Sequence, residues 1–258
     1  MTADALCEGP IISMRDLRKS FGGQVVLDGL DLDIGTCESL VIIGRSGCGK
    51  SVLLKHITGL ISPDSGSIRF MDEEITSFSR KKLFEMRMHF GMLFQGAALF
   101  DSLTVGENVG LPLVKHTEKT EEEIGELVEQ KLGLVGMKGI QGKYPAELSG
   151  GMKKRVGLAR ALIMDPDVVL YDEPTTGLDP IMADVINELI PRLQKELNIT
   201  SVVVTHDIKS AYKVGDRLAM LHDGRIIYSG TPEETAETDD EMVRQFIEGR
   251  AQGPIRVV

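Results

Sequence analysis

Eight residues, Gly44-Arg45-Ser46-Gly47-Cys48-Gly49-Lys50-Ser51, have the spacing G-x-x-x-x-G-K-[ST]. Glycines let a backbone curl until several N–H groups converge on one point, which is what phosphate oxygens need. Lys50 can place a point charge on the β and γ phosphates, and the Ser51 hydroxyl can hold Mg²⁺. Before the loop, Val41-Ile42-Ile43 reads as a buried strand. After it, Leu53, Ile57 and Leu60, spaced four and then three apart, read as the core face of a helix. Strand, glycine loop and helix are the context in which this spacing binds a nucleoside triphosphate. Cys48 places a thiol inside the loop, so alkylation there is expected to stop turnover and nucleotide to protect.

A second chemical group lies far downstream. Val168-Val169-Leu170-Tyr171-Asp172-Glu173 is an apolar run ending in two carboxylates. Beside a phosphate nest, Asp172 would hold Mg²⁺ through water, and Glu173 would polarise the attacking water as general base.

The elements that must position these groups can be read from periodicity. Between Ile11 and Leu40 short apolar runs are broken by Phe21-Gly22-Gly23, Gly29 and Gly35, which predicts several short strands joined by turns. Residues 62–66 read as a turn and 67–71 as a strand. From about Gln95 to Asp165 the pattern becomes helical. Thr120 and Glu123 form a capping-box pair ahead of Ile124, Leu127, Val128 and Leu132. Ser149 caps a helix carrying Val156, Ala159 and Ile163. Strand-like runs return at Val168–Tyr171, Ser201–Val204, Leu218–Leu221 and Arg225–Tyr228, with Asp223-Gly224 as a hairpin turn. Ile186, Leu189, Leu193 and Leu197 make a helical stripe in which Pro191 predicts a kink or restart. From Thr231 the chain is acidic, with Met242, Phe246 and Ile247 as an amphipathic helix that docks on its own domain. Apolar strands alternating with helices predict an α/β core with a largely parallel sheet and a helical insertion.

Composition narrows the class. The chain has 258 residues, 26% charged and 42% hydrophobic, as expected of a globular protein able to bury a full core. A net charge of -10 argues against a large nucleic-acid footprint and against an anionic lipid surface. No apolar run approaches the roughly 20 residues that cross a bilayer, which predicts no direct membrane insertion. The first ten residues lack the basic and apolar regions of a secretory signal. Three cysteines, Cys7, Cys37 and Cys48, form neither a CxxC pair nor an even framework, which fits a reducing compartment.

The phosphate loop, Gln95, Leu148-Ser149-Gly150-Gly151-Met152, Tyr171-Asp172-Glu173-Pro174, Thr175–Asp179 and Val204-Thr205-His206-Asp207, in this order, resemble the ATP-binding cassette (ABC) ATPases over nearly the whole chain. The resemblance implies a P-loop NTPase (RecA-like) core with a small antiparallel β subdomain, spanning residues 1–94 and 165–230. It also implies a helical subdomain at 95–164 and leaves an acidic tail at 231–258. It implies that Phe21 stacks on adenine with Val26 nearby. Gln95 would touch Mg²⁺ or the lytic water and report nucleotide state to a membrane partner. His206 would reach the γ-phosphate, and Asp179 would lie across a subunit interface.

Ser149 with the N–H groups of Gly150 and Gly151 offers an anion site at a helix N-terminus. In the family this site faces a partner subunit's γ-phosphate. One phosphate loop and one LSGGM per chain therefore imply a head-to-tail homodimer with two composite sites. Met152 departs from the common LSGGQ form, which leaves the serine and backbone donors intact.

Phe94–Val109, Leu148–Arg155 and Val243–Gly249 further resemble the Mla/Mce lipid-transport ATPases. That likeness implies a permease dimer, an MCE-domain lipid-binding protein, a STAS-domain regulator and a phospholipid-like cargo. It places the chain peripherally on the cytoplasmic face of a bacterial inner membrane. An ATPase of a polar-solute importer and a soluble ABC switch on ribosomes or DNA are the alternatives. A P-loop kinase would leave LSGGM unexplained.

Overall fold

The protein, seen here as a computed structural model, is described over residues 9–255. Cys7, with the rest of the first eight residues, lies outside the described residues. The described residues divide into two compact units, one made of those up to Leu83 and from Val203 onward, the other of Phe84–Val202. The division falls within α2 (Arg80–Arg87) and β8 (Thr200–Thr205).

In the first unit, β1 (Pro10–Phe21) and β2 (Gln24–Gly35) form an antiparallel hairpin. Gly22 and Gly23, at φ 55° and 86°, make its two-residue turn. The several short strands expected here are thus two long ones followed by β3 (Ser39–Ile43). Gly29 does not end β2. With Asp16 opposite, it takes up a register shift as a bulge, both residues lying at positive φ. β4 (Ser65–Phe70) and β5 (Glu73–Glu74) complete the sheet in the order β2-β1-β4-β5.

β3 is buried at all of its positions, as its unbroken apolar run requires. It pairs in parallel with β9 (Arg217–His222), and β9 pairs antiparallel with β10 (Arg225–Gly230) through the Asp223-Gly224 turn. α1 (Lys50–Ile57) follows β3 and buries Leu53, Leu54 and Ile57. The helix stops before Leu60. Gly59 turns left-handed at φ 62°, the Leu60 and Ile61 N–H groups donate back to the Lys55 carbonyl, and Leu60 is 56% exposed instead of lying in the core. α7 (Ile208–Val214), α8 (Pro232–Glu237) and α9 (Glu241–Glu248) finish this unit. α9 buries Val243 and Gln245, while Met242, Phe246 and Ile247 are only half-buried. The Gln245 side chain accepts from the Ile255 N–H at 2.7 Å and donates to the Ile255 carbonyl at 3.0 Å.

In the second unit β6 (Phe90–Leu93) and β7 (Val168–Asp172) pair in parallel, with Leu93 opposite Tyr171. α3 (Val105–His116), α4 (Glu121–Leu134) and α5 (Gly150–Leu162) pack on one another. Thr104 with Glu107 and Thr120 with Glu123 form capping boxes that start α3 and α4. α6 (Pro180–Leu197) runs as one helix through Pro191, so no restart occurs. A proline removes a single backbone donor, and Ile186, Leu189, Ile190 and Leu193 bury the stripe on both sides of it.

Candidate ATP-hydrolysing site

The phosphate loop leaves β3 and enters α1 with no side chain capping the helix. The first N–H groups of a helix have no intrahelical acceptors, so an uncapped start favours an anion. Two of the glycines are dictated by close approach. A Cβ on Gly49, where φ is 105°, would lie 3.0 Å from Val26 Cγ1 and 3.2 Å from the Val26 carbonyl oxygen. A Cβ on Gly44 would lie 2.5 Å from the Leu221 carbonyl oxygen and 2.9 Å from Cys48 Sγ. Val26, expected near the adenine, therefore abuts the loop itself. The buried Lys50 ammonium donates to the loop's own carbonyls, to Gly44 at 2.7 Å and to Arg45 at 3.0 Å. Burial raises the Cys48 thiol pKa, opposed more weakly by Lys50.

Phe21 stands at the end of β1, 44% exposed, with Lys19 Nζ 5.4 Å from its ring centroid. An accessible aromatic face here suits stacking on a base. His206 is exposed just past the end of β8. Asp207 caps α7, accepting from Lys209 N–H at 3.1 Å and from the Ser210 hydroxyl at 2.6 Å.

The remaining expected site residues lie in the second unit. Asp172 closes β7, and Glu173 follows in the left-handed region at φ 49°. Such a conformation in a non-glycine residue costs on the order of 1 kcal/mol and persists only where its surroundings enforce it. The Thr176 hydroxyl donates to a Glu173 carboxylate oxygen at 3.2 Å. Ser149 caps α5, accepting from Met152 N–H at 3.3 Å, so Gly150 and Gly151 supply the first N–H groups of the helix. Leu148 is buried. Gly151 packs on Met182 and Gly150 on Leu178, which brings the Leu148–Met152 signature turn at the head of α5, the signature helix, beside the segment that carries Asp179. Asp179 is itself the cap of α6, accepting from Ile181 and Met182 N–H at 3.0 Å each.

Gln95 is exposed, in the loop after β6. Three residues missed in the sequence hold that loop and the chain after it. Lys154 donates to the Gln95 carbonyl and, at 3.2 Å, to the Glu173 carbonyl. Arg160 donates at 2.8 Å to the carbonyls of Ala97 and Ala98, both left-handed. Asn108, fully buried, accepts from Phe100 N–H and donates to the carbonyls of Phe100, Leu103 and Thr104. Helical spacing could have revealed two of them. Lys154 shares a face with Gly151, Leu158 and Ala161, and Asn108 lies in the stripe Val105, Val109, Leu113. In the same unit an open cavity of about 610 Å³ is lined by Phe84, Phe94, Ala98, Phe100, Pro112 and Arg160. Among the described residues no helix is long and apolar enough to cross a membrane.

An uncapped glycine loop with a buried lysine, strand-end carboxylates and a serine-capped glycine turn define a nucleotide-hydrolysing cassette. The ABC transporter family profile matches residues 27–176, and the chain belongs to that family and is an ATPase. It is 43% identical over 247 residues to "Probable ribonucleotide transport ATP-binding protein mkl" of Mycobacterium leprae, covering 96% of this chain and 71% of that one. It is 40% identical over 246 residues to "Intermembrane phospholipid transport system ATP-binding protein MlaF" of Haemophilus influenzae, covering 95% and 93%. Among solved structures, cbiO1 of Clostridium perfringens, part of the cbiONQ transporter complex, superposes with TM-score 0.83 at 34% identity, covering 94% and 96%. The dimeric post-hydrolysis cassette MJ0796 bound to ADP and Pi gives 0.78 at 31% identity, covering 86% and 98%. These likenesses bear out the α/β P-loop NTPase fold.

Proposed function

We propose that this ATPase powers movement of phospholipid-like lipid through a membrane permease, from the cytoplasmic face of a bacterial inner membrane. The observation that carries the lipid reading is the 40% identity to MlaF, extending over nearly the full length of both chains. On this reading an MCE-domain lipid-binding protein and a STAS-domain regulator complete the assembly. The cavity edged by the exposed Phe84, Phe94 and Phe100 supports docking of a permease segment beside the Gln95 loop. Residues 95–164 are then the helical subdomain, 1–94 and 165–230 the core, and 231–258 an acidic tail of which α8 and α9 dock on the core.

Two copies would meet head to tail, each nucleotide lying between the phosphate loop of one and Leu148–Met152 of the other. The dimeric form of the related cassette bound to ADP and Pi supports this arrangement. Phe21 and Val26 take the adenine, residues 44–51 wrap the phosphates, and Asp179 lies at the junction. Glu173 accepts a proton from water as its oxygen attacks the γ-phosphorus, the bond to the β-phosphate oxygen breaks, and ADP leaves with inorganic phosphate. Lys50, His206 and the partner's Ser149 turn carry the charge that builds on the γ-oxygens. Mg²⁺ would neutralise the phosphates, held by Ser51 and by Gln95 and Asp172 directly or through water. Among the described residues no cluster of three acidic, histidine or cysteine side chains forms a cage, and a few oxygen donors plus phosphates suit this ion.

The test is reconstitution with the permease in phospholipid vesicles. ATP should drive transfer of a fluorescent phospholipid, and Glu173→Gln should bind ATP without transfer. ATP-driven uptake of a ribonucleotide with no lipid movement would overturn the lipid reading.

A further inference from the structure

Lys154, within the Leu148–Arg155 stretch, was assigned no role above, yet it touches two residues that were. It sits on α5, about one turn past Ser149, and its side chain is 4% exposed. Its ammonium donates to the backbone carbonyls of Gln95 and Glu173. Those two residues are equivalent in register. β6 and β7 run in parallel with Leu93 opposite Tyr171, and Gln95 and Glu173 are each two residues further on. One buried cation therefore ties together the exits of two adjacent strands and fastens both to the signature helix. Burial lowers its pKa, and the nearby charges of Asp172 and Glu173 counter that cost.

We infer that Lys154 is a positioning residue through which the signature helix of one nucleotide site sets Glu173 and Gln95 of the other. This rests on the head-to-tail reading above. There the Ser149 turn of a chain serves its partner's nucleotide while Glu173 of that chain serves its own. A helix drawn toward one γ-phosphate then moves the ammonium that holds the carbonyl of the left-handed Glu173 at the second site. The linkage runs through backbone carbonyls, so truncating the Gln95 side chain leaves it in place.

The test is steady-state ATP hydrolysis by the full chain, read as kcat, KM and Hill coefficient. Wild type should be cooperative in ATP. Lys154→Met, nearly equal in length, should lower kcat by about ten- to a hundredfold, the range for a charge-assisted hydrogen bond made to the reacting geometry. It should bring the Hill coefficient to about 1 and leave binding of a fluorescent ATP analogue within about twofold. Lys154→Arg should restore both kcat and cooperativity. Arg160→Met, which loosens only Ala97 and Ala98, should stay cooperative. If Lys154→Met does not fold, Lys154→Gln takes its place with the same loss expected, since one short neutral donor cannot hold both carbonyls.

A non-cooperative wild type, or a Lys154→Met that keeps wild-type kcat and Hill coefficient, would overturn the inference. So would failure of Lys154→Arg to rescue. Wild-type hydrolysis by Glu173→Gln would instead bring down the proposed function beneath it.

Discussion

Gly91→Ala adds one methyl group where β6 meets the end of α5. A Cβ there would lie 3.0 Å from the Ala161 carbonyl carbon and 3.2 Å from Pro166 Cγ, with the Ala161 carbonyl oxygen nearer still. The obstacle is backbone, which cannot rotate away as a side chain would, so strand and helix must part by several tenths of an ångström. Overpacking of this kind costs about 1–3 kcal/mol, and a fixed oxygen puts the cost near the top of that range. Burial of the methyl returns about 0.8 kcal/mol, leaving a net loss of about 2 kcal/mol. For a chain of this size that is a fall in Tm of roughly 4–8 °C. Gly125→Ala is the control. Gly125 lies mid-way along α4 with nothing within 4 Å of an added Cβ, so alanine should stabilise by up to about 1 kcal/mol. Thermal melts followed by circular dichroism measure both. Gly91→Ala melting within 1 °C of wild type would refute the packing of β6 on α5.

Two further outcomes follow from buried groups near the phosphate loop. Because burial raises the Cys48 pKa, inactivation by N-ethylmaleimide should be slow at pH 7 and quicken by up to about tenfold per pH unit. ATP should protect, Cys48→Ala should resist, and equal inactivation of Cys48→Ala would place the sensitive thiol elsewhere. His56 in α1 is fully buried, with Nδ1 2.8 Å from the Val52 carbonyl oxygen, and burial lowers its pKa. A lowered folded pKa means the unfolded chain takes up the proton first. The stability due to neutral His56 is therefore complete above the ordinary histidine value and drains away as pH falls below it. Urea midpoints of wild type should drop more between pH 7 and pH 5 than those of His56→Met, and parallel drops would contradict this.

The phosphate loop was legible because its chemistry demands glycine at fixed places, and here a Cβ on Gly44 would strike the Leu221 carbonyl while one on Gly49, at φ 105°, would crowd Val26. Capping boxes at Thr120 and the turn at Asp223-Gly224 were legible for the same reason, since local hydrogen bonds and positive φ select few residue types. What misled were residues whose effect depends on distant packing. Gly29 looked like a strand end and proved to be a bulge, because β1 opposite supplies Asp16 at positive φ. Pro191 predicted a kink or restart, and the helix does not restart, because one missing donor is outweighed by a buried stripe. Lys154, between Lys153 and Arg155, carried no reading of its own in the sequence. Only the fold reveals the carbonyls of Gln95 and Glu173 that receive it.

The central claim is that each nucleotide is enclosed by two chains, and mixing two inactive variants tests it most directly. Lys50→Met disables the phosphate loop and Ser149→Arg disables the signature turn, so each alone should hydrolyse almost nothing. A mixed dimer pairs the intact loop of the second with the intact turn of the first, and combining the two should recover substantial ATPase activity, greatest near equal proportions. A mixture that stays inactive at every ratio, although the two variants associate, would contradict the shared site.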